Sequence, residues 1–446
     1  MKAIMRDKAE LRDSGIEWIG DIPENWTLSK IKYHVSGYKA GPFGSSLITS
    51  KLDHDGELLV YTPEHVAKKS TNIDGNLYLP INRKEEMSQF LVSSGDVVFP
   101  IVGSLGRAMQ IEDNMPNGII NQRLAKFCIS ESNIIPSYFM WLFGKSTFYE
   151  TYIELFSRGS IIVNLTKQIV GNMPLPLPSV IEQQDIIKYL DDRCSKIDTI
   201  IAEAKASIEE YKELKQAVIY EAVTKGLDKN VEMKDSGIEW IGKIPKSWGT
   251  PHLSQIAYIY SGGTPNRNHP EYWNGNIPWL KTGELKNNEI FSAEEFITQD
   301  GLDNSSAIIF PENTILMAMY GQGKTRGMTA ILKTPCATNQ ACAGILLFND
   351  KIETDFLWIC LMGAYNAIRQ KAVGAGQPNL SLQLIGSFKV TMPSLAEQKS
   401  IVEYVKNKNI LFEEVISEKQ SLIEDLESYK KSLIYEVVTG KRKVVE

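Results

Sequence analysis

A chain of 446 residues without a long apolar run, a paired-cysteine motif or a positive charge excess has several functions closed to it. No stretch approaches the ~18 consecutive apolar residues that span a bilayer. The first residues, MKAIMRDKAELRDSG, lack the apolar core of a secretory signal. The protein is therefore expected to stay in the cytoplasm, away from membranes. Cysteine is scarce: Cys128, Cys194, Cys336, Cys342 and Cys360 are odd in number and widely separated, with no C-x-x-C pair. That spacing gives no disulfide framework, zinc knuckle or dithiol centre, and reduced core residues are expected. The histidines, His34, His54, His65, His252 and His269, show no metal-ligand spacing. A formal charge of −6 offers little electrostatic attraction to nucleic acid over the chain as a whole. That charge is unevenly placed, however. Residues 27–172 carry 14 basic and 13 acidic side chains and residues 249–390 carry 10 and 11, so the acidity lies outside these two blocks.

What is present is a duplication. Asp13-Ser-Gly-Ile-Glu-Trp-Ile-Gly-Asp-Ile-Pro-Glu-Asn-Trp26 returns at Asp235–Trp248 with differences only at positions 21, 24 and 25 of the first copy. A second match, at a constant offset of 215, runs from Asn164 to Thr224 against Asn379 to Thr439. It pairs Gly171 with Gly386, Pro178 with Pro393, Glu182-Gln183 with Glu397-Gln398, and Ile219-Tyr220-Glu221 with Ile434-Tyr435-Glu436. Matching at fixed offset is the mark of internal repetition. The order is an opening segment, a divergent block and a polar helix, written twice. The N-terminal copy of the opening segment can follow the C-terminal helix, so the arrangement closes in a circle about a pseudo-twofold axis.

The repeated helices carry the second signal. Between Glu182 and Thr224, and between Glu397 and Thr439, there is no proline or glycine. Spacings of four and three link Leu190, Cys194, Ile197, Ile201, Ala204, Ile208 and Tyr211, and likewise Val405, Asn409, Phe412, Ile416, Lys419, Ile423 and Leu426. This heptad-like seam, imperfect at Asn409 and Lys419, predicts two paired helices of ~65 Å at 1.5 Å per residue. Twofold symmetry makes the pair antiparallel. Two surface helices, each covering its own domain, are the alternative.

The divergent blocks mix both secondary structures. Glu57–Tyr61, Asp96–Phe99 and Thr314–Met319 read as short strands, with Asn117-Gly118 as a turn between strands. Ser137–Phe143 and Asp355–Met362 read as buried helices. The expected class is α+β: two pseudo-twofold-related α/β domains separated by two long helices that form an antiparallel coiled coil. The expected boundaries are 1–26 for the opening segment, 27–178 for the first domain and 179–226 for the first spacer helix. The repeated opening segment follows at 227–248, the second domain at 249–393, and the second spacer helix with the tail at 394–446.

Catalytic signatures do not emerge. Gly321-Gln-Gly-Lys-Thr-Arg-Gly resembles the end of a phosphate-binding loop, but the G-x-x-x-x-G-K pattern needs glycine where Ala318 stands. The related turn of the first half, Gly103-Ser-Leu-Gly-Arg107, has no lysine. Such a turn can bring backbone against a nucleic-acid phosphate, with Lys324, Arg326 or Arg107 close by, or be a plain hairpin turn. A base methyltransferase needs a cofactor-binding glycine loop and an Asn/Asp-Pro-Pro-aromatic run, and neither occurs.

The doubled Asp-Ser-Gly-Ile-Glu-Trp-Ile-Gly-x-Ile-Pro-x-x-Trp segments, the Asn-Leu…Gly…Pro-Ser-x-x-Glu-Gln approach to each helix and the Ile-Tyr-Glu-x-Val-Thr helix ends resemble the specificity subunit of type I restriction-modification systems. The resemblance covers the whole chain. It implies two target-recognition domains that each read half of a bipartite double-stranded DNA site, with the helices setting the spacer. It also implies two methyltransferase subunits that use S-adenosylmethionine to methylate adenine, and motor-nuclease subunits that use ATP and magnesium. Those cofactors belong to the partners, and none is expected on this chain, which is read as non-catalytic. If the two blocks read different half-sites, shared residues such as Asn121-Gln122 and Asn339-Gln340 should serve the scaffold, and unshared polar residues should contact DNA. The candidates are Lys39, Ser45, Ser46, Lys51, Arg107, Arg123, Arg158 and Lys167 in the first block, and Asn266, Arg267, Asn268, Lys281, Thr282, Lys324 and Arg326 in the second. Two other classes stay open: a coiled-coil adaptor without DNA reading, and a single-chain DNA-modifying enzyme.

Overall fold

The computed structural model describes every residue except 43–46, 48–51, 103–106, 130–132, 147, 158–164, 322, 373–378 and 446. It resolves into two compact units. One comprises residues 1–204 and 421–446, the other residues 205–420.

In the first unit, β-branched and aromatic runs form two small sheets. Val35–Ala40, Leu124–Ile129, Asp96–Pro100 and Met109–Gln110 lie in that order, antiparallel throughout. Gly118–Ile120, Leu58–Tyr61 and Tyr78–Leu79 form the second sheet, the first pair parallel and the second antiparallel. The helix Pro136–Phe143 starts on proline, whose fixed φ suits a first turn. It buries every side chain from Tyr138 to Phe143, as an all-apolar helix must. Phe139 and Phe143 meet Phe127 at 5.6 Å between ring centroids, and Phe143 meets Phe99 at 5.2 Å. Each such fully buried ring contributes about 1.5–3 kcal/mol of apolar transfer.

The second unit repeats the plan with larger sheets. Ala257–Ser261, Cys342–Leu347, Ile315–Ala318, Thr329–Leu332 and Asn288–Ile290 form five strands, only the last pairing parallel. Glu295–Ile297, Trp273–Leu280, Cys336–Thr338 and Ile309–Phe310 form four. Its buried helix is Thr354–Gly363, in which Trp358 donates Nε1 to Thr329 Oγ1 at 3.0 Å.

The expected strands and buried helices are thus present, but the Asn117-Gly118 turn is not. Gly118 opens a strand parallel to Leu58–Tyr61, and a Cβ there would stand 2.0 Å from the Leu59 carbonyl oxygen. Glycine is needed for close strand approach, not for reversal.

Two long helices span Val180–Lys225 and Leu395–Val438. All fourteen predicted seam positions are buried or half-buried. In the second unit Lys215 bonds Glu413 at 2.5 Å and Tyr211 lies under Lys419 at 5.8 Å, so the residue pairs advance in opposite directions along the chain. In the first unit Asp198 and Lys430 pair at 2.6 Å. The helices therefore run side by side within each unit, and the surface-helix alternative is set aside.

The start of each helix is tied by the repeated glutamine. Gln183 Nε2 donates to the carbonyls of Pro178 and Asn133 while its Oε1 accepts from Ile135 N. Gln398 does the same with Pro393, Lys351 and Glu353. Both are fully buried. The glutamate before each takes the indole N–H of the opening segment's last tryptophan: Trp26 to Glu182 at 2.9 Å, Trp248 to Glu397 at 3.2 Å. Past the first helix Gly226 and past the second Gly440 lie in the left-handed region, and a Cβ would meet the Trp248 ring at 3.1 Å from Gly226 and the Trp26 ring at 3.0 Å from Gly440, so each tryptophan touches the start of one helix and the end of the other.

The expected closure is observed within the first unit. Lys2–Met5 pairs antiparallel with Arg442–Val445, Arg6 donates to the Lys441 and Gly440 carbonyls, and Tyr435 Oη donates to the carbonyls of Trp18 and Ile19. The cysteines carry no disulfide, and four are buried while Cys128 is half-buried. Burial raises the Cys194 and Cys336 thiols to about 11 and that of Cys342 to about 12, which leaves them protonated and inert.

Candidate nucleic-acid interface

The shared asparagines build turns. Asn121 accepts from Arg123 N through Oδ1 at 3.0 Å and donates its own N to the Tyr61 carbonyl. Asn339 Oδ1 accepts from Thr282 Oγ1 at 3.0 Å and from Ala341 N at 3.2 Å. In each half a glycine passes so close that a Cβ would fall 1.9 Å (Gly41) or 2.5 Å (Gly262) from the asparagine's carbonyl oxygen. These bonds tie both asparagines into their turns, while the adjoining Gln122 and Gln340 are exposed.

The unshared candidates of the second unit fall into two groups. The first sits on the four-stranded sheet. Arg267 places its guanidinium over Trp273 at 3.6 Å from the ring centroid, with Trp279 at 5.1 Å, and forms an ion pair with Glu295 at 2.6 Å. Lys281 reaches Glu294 and Glu295, each at 3.1 Å. Arg267 and Lys281 together hold the Glu295 carboxyl below the usual carboxylate range, and Glu295 and Glu294 in turn raise the Lys281 ammonium. Asn266 and Asn268 shape the loop that presents Arg267. Asn266 Oδ1 accepts from Asn268 N at 3.0 Å, and the Asn266 carbonyl accepts from Trp273 Nε1 at 3.3 Å. Thr282 is spent on Asn339.

The second group is the glycine-rich turn. Gly321, Gly323 and Gly327 have positive φ, which glycine alone adopts without strain. Arg369 cinches the turn by donating to the carbonyls of Arg326 (2.9 Å) and Gly323 (2.8 Å), and Tyr365 Oη donates to the Lys324 carbonyl. Lys324 projects exposed from it, and Arg326 is half-buried.

In the first unit, Lys39 bonds the Gln89 amide and lies over Phe90 at 5.2 Å. Arg107, Arg123 and Lys167 are exposed, the last opening the helix Lys167–Gly171. Ser45, Ser46, Lys51 and Arg158 lie outside the described residues.

Glu294, Glu295, Trp273, Tyr365 and Arg369 were not singled out from sequence. Glu295 is brought to Arg267 and Lys281 by antiparallel pairing of Trp273–Leu280 with Glu295–Ile297, and Glu294 meets Lys281 beside it, which leaves no local signature. Tyr365 and Arg369, four apart on one helix, were legible only as an i,i+4 pair.

The chain matches the family model described as the type I restriction modification DNA specificity domain over residues 44–210 and 245–424. It is similar to the type I restriction enzyme MjaVIII specificity subunit of Methanocaldococcus jannaschii, 24% identical over 399 residues that cover 88% of each chain. It is likewise 24% identical over 301 residues to the EcoR124I/EcoR124II specificity subunit of Escherichia coli, covering 66% of this chain and 68% of that one. Among solved structures, a chain of a type I R-M system solved for its complex assembly and conformational transition aligns with a TM-score of 0.70 at 13% identity, covering 94% and 99% of the two chains. The HsdS subunit from Thermoanaerobacter tengcongensis aligns at 0.51 and 13%, covering 94% and 98%.

Proposed function

Because the chain belongs to the type I restriction-modification DNA specificity family, and is the DNA-recognition component and not the catalytic one, we propose that its target-recognition domains span residues 27–178 and 249–393. Each reads one half of a bipartite double-stranded site, and the helices Val180–Lys225 and Leu395–Val438 fix the count of unread base pairs between the halves. Two methyltransferase subunits, carrying S-adenosylmethionine, dock along these helices and methylate adenine. Motor-nuclease subunits supply ATP- and magnesium-dependent cleavage. The complex works in the cytoplasm; no helix among the described residues is long and apolar enough to cross a membrane.

The observation that carries this reading is the contrast between identical scaffold bonds in the two units and dissimilar polar groups at their candidate DNA faces. Two rigidly spaced readers gain from high effective concentration only on DNA that presents both halves at the matching separation. The near-neutral blocks leave phosphate affinity to be completed by the partners.

The test is to co-express the chain with its methyltransferase and map methylated adenines across the host genome. A split motif with a fixed gap is expected. Inserting one heptad into both helices, at 204/205 and 420/421, should lengthen the gap by about three base pairs, since seven residues rise ~10.5 Å against ~3.4 Å per base pair. A stable, active complex that methylates without any motif would refute the reading.

A further inference from the structure

Arg267 is half exposed, yet it is held on two sides. Its guanidinium carbon lies 3.6 Å from the Trp273 ring centroid and its Nη1 meets the Glu295 carboxylate at 2.6 Å. The holding groups are themselves fixed. Trp273 packs edge-on against Trp279 at 5.1 Å and 89°, and Trp279, 2% exposed, donates Nε1 to the Gly263 carbonyl at 2.9 Å. Glu295 lies on a paired strand and receives Lys281 as well. Among the described residues no hydrogen bond is made by Arg267 Nε or Nη2, so part of the planar donor fork stays available.

We infer that Arg267 is a specificity-determining residue that reads a guanine in one half-site, with Trp273 as its platform and Glu295 as a positioning residue. This rests on the DNA-reading function proposed above. A planar fork of N–H donors matches the O6 and N7 acceptors of guanine in the major groove. Stacking and the carboxylate remove rotamer freedom before binding, so less ordering remains to be done on contact. The carboxylate also separates this role from a phosphate contact. Next to a phosphate Glu295 and Glu294 would repel the backbone, whereas on the groove floor a carboxylate accepts from the cytosine amino group. The loop is one where the two halves of the chain share nothing, as a half-site-specific reader requires.

The experiment maps adenine methylation by complexes assembled with wild-type chain, Arg267→Lys, Arg267→Ala and Glu295→Gln. Arg267→Lys keeps the charge and loses the fork. Both Arg267 variants should relax one G·C position in one half of the motif, with discrimination there falling about 10- to 100-fold and the other half unchanged. Glu295→Gln should relax the same position to a smaller degree. If Arg267→Ala fails to assemble, Arg267→Lys decides. An unchanged motif in Arg267→Lys overturns the inference, as does methylation that weakens evenly at every sequence, the signature of a phosphate contact. A wild-type complex without any split motif instead sinks the DNA-reading premise, and the Arg267 assignment with it.

Discussion

The same eight residues, Asp-Ser-Gly-Ile-Glu-Trp-Ile-Gly, are set into two different surroundings. The backbone of the two copies is the same: Gly15 N and Gly237 N both donate to their aspartate Oδ1 at 2.9 Å, and Ser14 and Ser236 both donate to an isoleucine carbonyl. The tryptophans differ. Trp18 packs edge-on against Phe148 at 4.9 Å and borders a groove of about 980 Å³ that Tyr33, Tyr152 and Leu155 also line. Trp240 stacks on Phe388 at 5.4 Å and donates Nε1 to the Lys389 carbonyl, leaving a smaller hollow of about 420 Å³ between it and Tyr220. Identity of sequence has fixed the backbone path and the helix attachment, while the side chains facing outward follow their variable neighbours. Shared residues set geometry and unshared ones set the surface.

That division can be broken by paired substitutions. Trp26 and Trp248 are 2% and 1% exposed and hold equivalent glutamates. Trp26→Ala and Trp248→Ala should each cost about 3–5 kcal/mol, measured as two urea transitions if the units unfold separately; a cost confined to one of them would end the claim of equivalence. Gln183→Leu and Gln398→Leu each strip three bonds from a buried helix start and should lose about 2–3 kcal/mol. Equal losses in thermal melts would sharpen the comparison. The smallest expected effect tests the seam where the two helices differ. Asn409 Oδ1 is buried without a hydrogen bond among the described residues, so Asn409→Leu should raise stability by about 1 kcal/mol. A destabilised variant would show instead that Asn409 sets the pairing register.

The seam, the closure and the doubled plan were legible because each is written in local spacing or literal repetition. Leu190, Ile197 and Val405 are apolar at positions that periodicity alone identifies, and Asp235–Trp248 copies Asp13–Trp26 almost letter for letter. Asn117-Gly118 was misread because the pair favours a hairpin turn wherever nothing else competes, and here a parallel neighbour competes. The proposed reader site was half legible. Arg267 and Lys281 were visible as basic residues in divergent loops, but their carboxylates and Trp273 acquire meaning only through strand pairing, which no spacing along the chain encodes. The Thr282 hydroxyl likewise meets a partner that only the fold supplies, donating to Asn339 Oδ1.

The pairing of Lys2–Met5 with Arg442–Val445 also bears on how the protein is made. Residues 205–420 form one unbroken unit that can be completed once residue 420 has left the ribosome. The other unit cannot, since its first 204 residues wait for the stretch 421–446 to supply a strand, a helix face and the glycine beside Trp26. Synthesis therefore finishes the later-written half first and holds the earlier one open. In that interval Lys2–Met5 lacks its partner strand and the Trp26 ring lacks Gly440, the kind of open edge and apolar surface through which incomplete chains associate.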